Sequence, residues 1–109
     1  MVRMAVIVLG LLFSSGAHAQ TVRLKHYLHP ENERMRNVYD VYLAGAMDAL
    51  LAYNIAAPVK LFCKEGGFVS HEEAAHLLTD WAERQTNIED DTIIVMPLLL
   101  VLKKTYPCH

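Results

Sequence analysis

The sequence predicts an all-α fold: a small, single-domain helical bundle of three to four main helices with one disulfide bond. Apolar residues recur at helical spacing through residues 35–53, and Ser70 with Glu73 forms a pattern typical of a helix start. Residues 98–102 are apolar without interruption, which indicates a central helix. The chain has only two cysteines, enough for a single covalent link.

Residues 1–19 have the pattern of a secretory signal peptide. A basic residue precedes the apolar run of residues 4–13, and Ala17 and Ala19 provide the small side chains that signal peptidase requires. The run is too short to cross a hydrocarbon core of about 30 Å as a helix, so we expect no stable membrane anchor after cleavage. The alternative is a retained N-terminal core helix. We therefore predict an exported domain over residues 20–109.

Charge and composition exclude one class of partner. The chain has 10 basic and 12 acidic residues and a formal net charge of −2. Nucleic-acid binding requires a basic patch, which the sequence does not contain. We therefore expect no nucleic-acid partner.

Cys63 and Cys108 are predicted to pair, because an exported protein is exposed to an oxidising compartment. Pairing them closes a loop of 46 residues, which stabilises a folded domain by up to about 4 kcal/mol. The alternatives are buried free thiols or a catalytic thiolate.

The first helix is predicted to run from Pro30, placed in its first turn, to about Asn54. Residues 20–29 have no clear period and are expected to be an extended lead-in. The predicted buried face of the helix comprises Met35, Val38, Tyr39, Tyr42, Ala46, Ala49, Leu50 and Tyr53.

Gly45 stands among small residues in the middle of this helix. A glycine there costs about 1 kcal/mol relative to alanine. We therefore interpret Gly45 as a place where another helix crosses closely. The alternative is an interior glycine on the solvent side.

Two further helices are predicted. Residues 59–63 are expected to be extended and residues 65–67 to form a turn, before a helix capped by Ser70 and closed near Arg84. Asp90 or Asp91 is expected to cap the last helix, over residues 92–105, with a kink at Pro97. In the alternative, residues 92–96 are extended and Pro97 opens a shorter helix.

No catalytic, cofactor-binding or metal site is predicted, and we do not expect an enzyme. His71 and His76 resemble a zinc-protease helix, but the two histidines are five residues apart instead of four, so they do not share a helix face. Ser70 is the only serine after the signal, and the helix cap already uses it.

Three segments resemble the Rap/Tai immunity proteins, which accompany type VI secretion amidase effectors. They are residues 42–49 (Tyr-Leu-Ala-Gly-Ala-Met-Asp-Ala), Phe62-Cys63, and residues 101–108 (Val-Leu-Lys-Lys-Thr-Tyr-Pro-Cys). The sequence departs from the family pattern at Lys64-Glu65, where members commonly have proline, and at Pro97.

The resemblance implies a small helical protein of the periplasm that binds a peptidoglycan amidase, blocks its active-site groove and often forms a homodimer. It implies neither catalysis nor a cofactor. Because the matched positions are structural, contacts are expected in polar loops beside the helices: Glu65, Asn87, Glu89, Asp90 and Asp91. The alternative is that these residues form ordinary solvated turns.

A second functional hypothesis is a periplasmic acid-stress chaperone. Such chaperones are also small and helical and contain one disulfide. The histidines and many carboxylates of this chain change charge at low pH, as that function requires.

Overall fold

Four helices form over the residues that the computed structural model describes, residues 21–109. They are α1 (Leu24–Leu28), α2 (Glu33–Ala56), α3 (His71–Glu83) and α4 (Val95–Thr105). Apart from an isolated antiparallel bridge between Arg23 and Ile93, these residues contain no β structure. The predicted all-α fold is confirmed, whereas the predicted signal peptide, residues 1–19, lies outside the described residues.

The segment expected to be an extended lead-in contains helix α1. Leu24 and Tyr27, three residues apart, lie on one side of α1 and are buried. The backbone N–H of Leu24 donates to the carbonyl of Thr92 at 2.7 Å, and that of Ile94 donates to the carbonyl of Val22 at 3.0 Å. A helix this short is fixed by tertiary contacts, so the sequence shows no repeating pattern.

Helix α2 begins after Asn32 instead of at Pro30. The Asn32 side chain accepts a hydrogen bond from the backbone N–H of Met35 at 2.9 Å. It thereby satisfies one of the N–H groups that lack a partner in the first turn. Pro30 lies just outside the helix, which continues to Ala56, two residues beyond the predicted end.

The buried face of α2 matches the predicted one only in part: Tyr39 is buried, and Met35, Tyr42, Ala46 and Leu50 are partly buried against the core. Leu43 and Met47 are buried, whereas Val38, Ala49 and Tyr53, which the pattern places on the buried face, are exposed. Apolar residues occur on nearly every side of this helix. The spacing alone therefore does not determine which side faces the core.

Gly45 lies on the exposed side of α2. No atom lies within 4 Å of the position that a Cβ would take there. The predicted crossing at Gly45 is therefore not made within residues 21–109, and the solvent-side alternative describes this position. The other helices pack instead on the side of α2 that carries Leu43 and Met47.

Helices α3 and α4 run antiparallel, with Glu73 at the start of α3 beside Tyr106 just after α4. The Ser70 hydroxyl accepts a hydrogen bond from the backbone N–H of Glu73 at 3.1 Å, so the predicted helix cap is confirmed. Ala74 and Leu78 form part of the buried side of α3.

Helix α4 begins at Val95 and has Pro97 in its first turn. The predicted cap is wrong: Ile94 precedes the helix without a side-chain hydrogen bond, and Asp90 and Asp91 lie in the loop. The helix is shorter than residues 92–105, as in the alternative, but Val95 and Met96 are already helical, so Pro97 lies in its first turn and does not open it. The N–H groups of a first turn have no partner within the helix, so proline loses no hydrogen bond there.

One core joins all four helices and includes two loop residues, Phe62 and Val69. It includes buried side chains from every helix, and it fixes the loop between α2 and α3 against the bundle. Its members are Leu24, Tyr27, Tyr39, Leu43, Met47, Phe62, Val69, Ala74, Leu78, Ala82, Ile94, Leu98, Val101 and Leu102.

Candidate partner-binding surface

A tight turn follows Cys63 and is exposed to solvent. Residues 65–68, which we call the glycine turn, are all exposed. Gly66 and Gly67 have φ values of +84° and +75°, and the N–H of Gly67 donates to the carbonyl of Lys64 at 2.9 Å. Two consecutive positive φ values are readily adopted only by glycine, so the glycine pair determines the shape of this turn.

The disulfide Cys63–Cys108 fixes one end of the glycine turn, which confirms the predicted pairing. The two Cα atoms are 4.9 Å apart, and the described residues contain no free cysteine. The backbone N–H of Cys63 also donates to the carbonyl of Tyr106 at 2.8 Å. The end of the chain and the start of the glycine turn are thus joined by a covalent bond and a hydrogen bond.

Glu73 connects the residues around the turn to both helices of the antiparallel pair. Its Oε2 lies 2.7 Å from Lys64 Nζ, and its Oε1 accepts a hydrogen bond from the Tyr106 hydroxyl. Lys64 Nζ also lies 5.4 Å from the centre of the Tyr106 ring. The carboxylate bonds these two side chains instead of the backbone N–H of Ser70, so only half of the capping box forms.

These contacts shift two pKa values. The hydrogen bonds from Lys64 and Tyr106 hold the pKa of Glu73 below its ordinary 4.5. The hydrogen bond to the Glu73 carboxylate, with burial, raises the pKa of Tyr106 to about 12. At neutral pH the pair therefore consists of a carboxylate and a neutral phenol, the forms that this hydrogen bond requires.

Asn54 fixes the loop that leads from α2 to Cys63. Its side-chain N–H donates to the carbonyl of Phe62 at 2.6 Å, and its Oδ1 accepts from the N–H of Leu61 at 2.7 Å. It is the one buried polar residue among residues 21–109. The sequence predicts no role for Asn54. The only indication of one is that a polar residue stands near the end of an apolar helix.

Exposed apolar side chains lie within and beside the glycine turn. Phe68 is 64% exposed and Ile55 79% exposed. Ile55 and Gly67 line one cleft of about 330 Å³, together with Cys63. Large apolar side chains grouped on a surface are typical of protein-binding sites.

The second predicted contact segment lies at the other end of α3. Asn87, Glu89, Asp90 and Asp91 are exposed in the loop between α3 and α4, whereas Glu65 precedes α3. The 13 residues of α3 separate them. That helix length corresponds to about 20 Å. The fold therefore does not bring Glu65 together with the acidic segment.

The two histidines of the zinc-like pattern have different surroundings. His71 Nε2 lies 3.1 Å from Asp48 Oδ1 of α2, whereas His76 lies beside Glu72 at a separate shallow cleft. Within the described part of the chain, no three His, Cys, Asp or Glu side chains are placed to hold a metal ion.

Comparison with known proteins gives no relative: no family model, curated protein or solved structure matches this chain. In residues 21–109, no helix combines the length and the apolar character needed to cross a membrane. The function has to be inferred from the residues themselves and from their arrangement.

Proposed function

We propose that this protein is a periplasmic immunity protein that binds a type VI secretion peptidoglycan amidase and occludes its active-site groove. The glycine turn, residues 65–68, is the element that enters the groove. Inhibition requires only binding, with no catalytic group and no cofactor. Export through the signal peptide of residues 1–19 brings the protein to the compartment in which such amidases act.

The observation that carries this proposal is an exposed turn on a fixed base. The Cys63–Cys108 disulfide fixes the residue before Lys64, and the Lys64–Glu73 ion pair ties this side of the turn to α3, which follows it. Asn54 fixes the preceding loop through two backbone hydrogen bonds. A loop that is ordered before binding loses little conformational entropy when it enters a groove.

The side chains of the turn suit an enzyme groove. Phe68 presents an exposed aromatic ring, a frequent anchor at protein interfaces, and Glu65 presents a carboxylate. In an amidase that uses a cysteine–histidine pair, a carboxylate complements the positive charge of a protonated histidine. Phe68 therefore contributes most of the affinity, and Glu65 orients the turn.

The resemblance to the Rap/Tai family supports the same class of function. Its segments fall on the scaffold: residues 42–49 lie in the middle of α2, and residues 101–108 run from α4 to the disulfide. They account for the fold and the fixed base of the turn. The contacts with the amidase come from residues outside these segments.

A homodimer is part of the proposal, and the exposed face of α2 is its interface. Val38 and Tyr53 are exposed on this helix, with Gly45 between them. Tyr53 is 53% exposed, although an isolated domain gains by covering such side chains. The glycine allows the backbone of a second copy to approach closely. Dimer formation there leaves the glycine turn free.

The acidic segment with Asn87, Glu89, Asp90 and Asp91 is a secondary contact in this proposal. Its distance from Glu65 along α3 requires a partner that extends over the length of that helix. Neutralising the acidic residues should therefore weaken binding less than a change in the glycine turn.

The test measures inhibition of an amidase encoded beside this gene. The purified, disulfide-bonded protein should bind it with nanomolar affinity and stop cleavage of peptidoglycan. Phe68→Ala and Glu65→Lys should each weaken binding at least about tenfold, the effect of losing an interface anchor or opposing a charge. Leu100→Ala, which truncates an exposed apolar residue on α4, is the matched control. Absence of a complex, together with absence of cell protection, rejects the proposal.

An acid-stress chaperone is the second candidate, and the exposed apolar residues favour it. Ile55, Val59 and Phe68 offer a surface for unfolded clients. Acid would enlarge this surface by protonating Glu73 and releasing Lys64 and Tyr106. Light scattering of acid-treated client proteins tests it: suppression of aggregation below about pH 3 supports a chaperone, and an unchanged signal excludes one.

A further inference from the structure

A cleft of about 380 Å³ lies between α2 and α3, separate from the one beside the disulfide. Its apolar lining includes Val41 and Ala44 of α2 and Ala75 of α3. Two carboxylates, those of Asp40 and Glu72, stand at its edge, one from each helix. We call this site the α2–α3 cleft. It combines an apolar floor with an acidic rim.

The charges around the cleft are mainly negative. Asp48 adds a third carboxylate, 3.1 Å from His71 at the same site. Arg36 brings a positive charge to Asp40: its guanidinium lies 3.9 Å from that carboxylate and also stacks 5.4 Å above the ring of Tyr27. Asp40 and Arg36 form a solvent-exposed pair one helical turn apart, a contact that contributes little energy and breaks easily.

We propose that the α2–α3 cleft receives a lysine or arginine side chain from a surface loop of the amidase that the glycine turn inhibits. The aliphatic part of that side chain packs on Val41, Ala44 and Ala75, and its charged end meets Asp40 and Glu72. Long basic side chains bind surfaces of this kind because their stems are apolar and their ends are charged. This contact adds to those of the glycine turn and the acidic segment, and it rests on the proposed function.

The position of the cleft favours the same partner. His71 lines the cleft and follows Phe68 of the glycine turn by three residues. A stable complex usually buries about 800 Å² on each protein, which four exposed turn residues do not provide. A partner that covers the turn therefore extends over neighbouring surface, and the α2–α3 cleft is the adjoining concave part of it.

Two matched double variants test the contact with the amidase. Asp40→Asn/Glu72→Gln removes one acid from each helix at the cleft, and Glu33→Gln/Glu83→Gln removes one exposed acid from each helix elsewhere. The first pair should weaken affinity about tenfold and reduce its dependence on salt, and the second should change affinity less than about threefold. Equal effects of the two pairs overturn the cleft contact and leave inhibition by the turn intact.

Nuclear magnetic resonance provides a test that does not depend on any amidase. The peptide acetyl-Leu-Arg-Leu-Arg-amide should shift the amide signals of residues 40–44 and 71–75. The acidic peptide acetyl-Leu-Glu-Leu-Glu-amide should not, and Val41→Ser should weaken the shifts. Shifts without any amidase complex preserve the cleft and reject the proposed function. Absence of shifts, or equal shifts with both peptides, rejects the cleft.

Discussion

The carboxylate of Glu73 accepts a hydrogen bond from the hydroxyl of Tyr106, which joins the start of α3 to the residue just after α4. The other carboxylate oxygen binds Lys64, beside the glycine turn. One side chain thus connects the turn, the antiparallel helix pair and the C-terminal segment that leads to Cys108. The stability of the turn is therefore coupled to the stability of the whole bundle.

Glu73→Gln is expected to lower the free energy of unfolding by about 1–2 kcal/mol, since it replaces charge-assisted hydrogen bonds that are partly screened by solvent. Tyr106→Phe should cost about 1 kcal/mol for the lost hydrogen bond. In urea unfolding, the double variant should lose less than the sum of the two, because both changes remove the same contact. Glu83→Gln, on the exposed end of α3, is the control. Strict additivity would contradict a direct interaction.

The same pair gives stability a defined pH dependence. Glu73 has a folded pKa below its ordinary 4.5, so the folded state binds this proton less readily than the unfolded state does. Its contribution is complete above about pH 4.5 and is lost as the pH falls through the folded pKa. Tyr106 has a folded pKa raised from 10.0 to about 12, so its contribution is complete below pH 10 and is lost between pH 10 and 12.

Thermal unfolding across the pH range checks both halves of this prediction. Glu73→Gln should show a smaller loss of stability in acid than the wild type, and Tyr106→Phe a smaller loss in alkali. His76→Gln, an exposed change on the same helix, is the control and should show the same losses of stability in acid and in alkali as the wild type. If the wild type and Glu73→Gln lose the same stability in acid, the acid sensitivity comes from other carboxylates.

Asn54→Ala is expected to destabilise the protein by about 2–3 kcal/mol, because it leaves buried backbone groups of Leu61 and Phe62 without partners. The loop between α2 and the glycine turn should then exchange its amide hydrogens faster than the helices do. Asn37→Ala, an exposed asparagine on the same helix, is the matched control and should cost less than about 0.5 kcal/mol. An equal loss of stability in the two variants would show that the side-chain hydrogen bonds of Asn54 do not stabilise the fold.

Removing the disulfide by Cys63→Ser/Cys108→Ser is expected to cost up to about 4 kcal/mol, since the unfolded chain regains the entropy of an open loop. Both cysteines are exposed, so reduction by dithiothreitol should produce the same loss of stability in the wild type. Urea unfolding measures the stability, and affinity for the amidase should fall with it because the turn loses its fixed base. If the variant remains folded and its affinity for the amidase is unchanged, inhibition does not depend on the disulfide.

The fold class was predictable because strong local signals agree with the tertiary packing. Ser70 caps α3 as its spacing from Glu73 predicts, and the two cysteines had only one intramolecular pairing. The start of α4 was less predictable because Pro97 is compatible with either a kink or a first turn. Helix α1 could not be found by periodicity, since its five residues depend on contacts with the segment before α4.

The candidate site was predictable only in part. The Gly66-Gly67 pair indicated a turn, and the structure assigns positive φ to both residues. No local pattern reveals the hydrogen bonds of Asn54 to the Phe62 segment or those of Glu73 to Lys64 and Tyr106. The partners in these bonds are distant in sequence. The buried side of α2 was assigned correctly only in part, because this helix carries apolar residues on both sides.

Gly45→Ala separates the properties of the single chain from those of the proposed dimer. Nothing lies within 4 Å of the added Cβ, so at low protein concentration the variant should be more stable than the wild type by about 0.5–1 kcal/mol, the helix preference for alanine. If α2 packs against α2 of a second copy, the added methyl group lies in that interface and should weaken dimerisation in sedimentation equilibrium. A variant that is more stable and dimerises as tightly as the wild type would remove Gly45 from the interface.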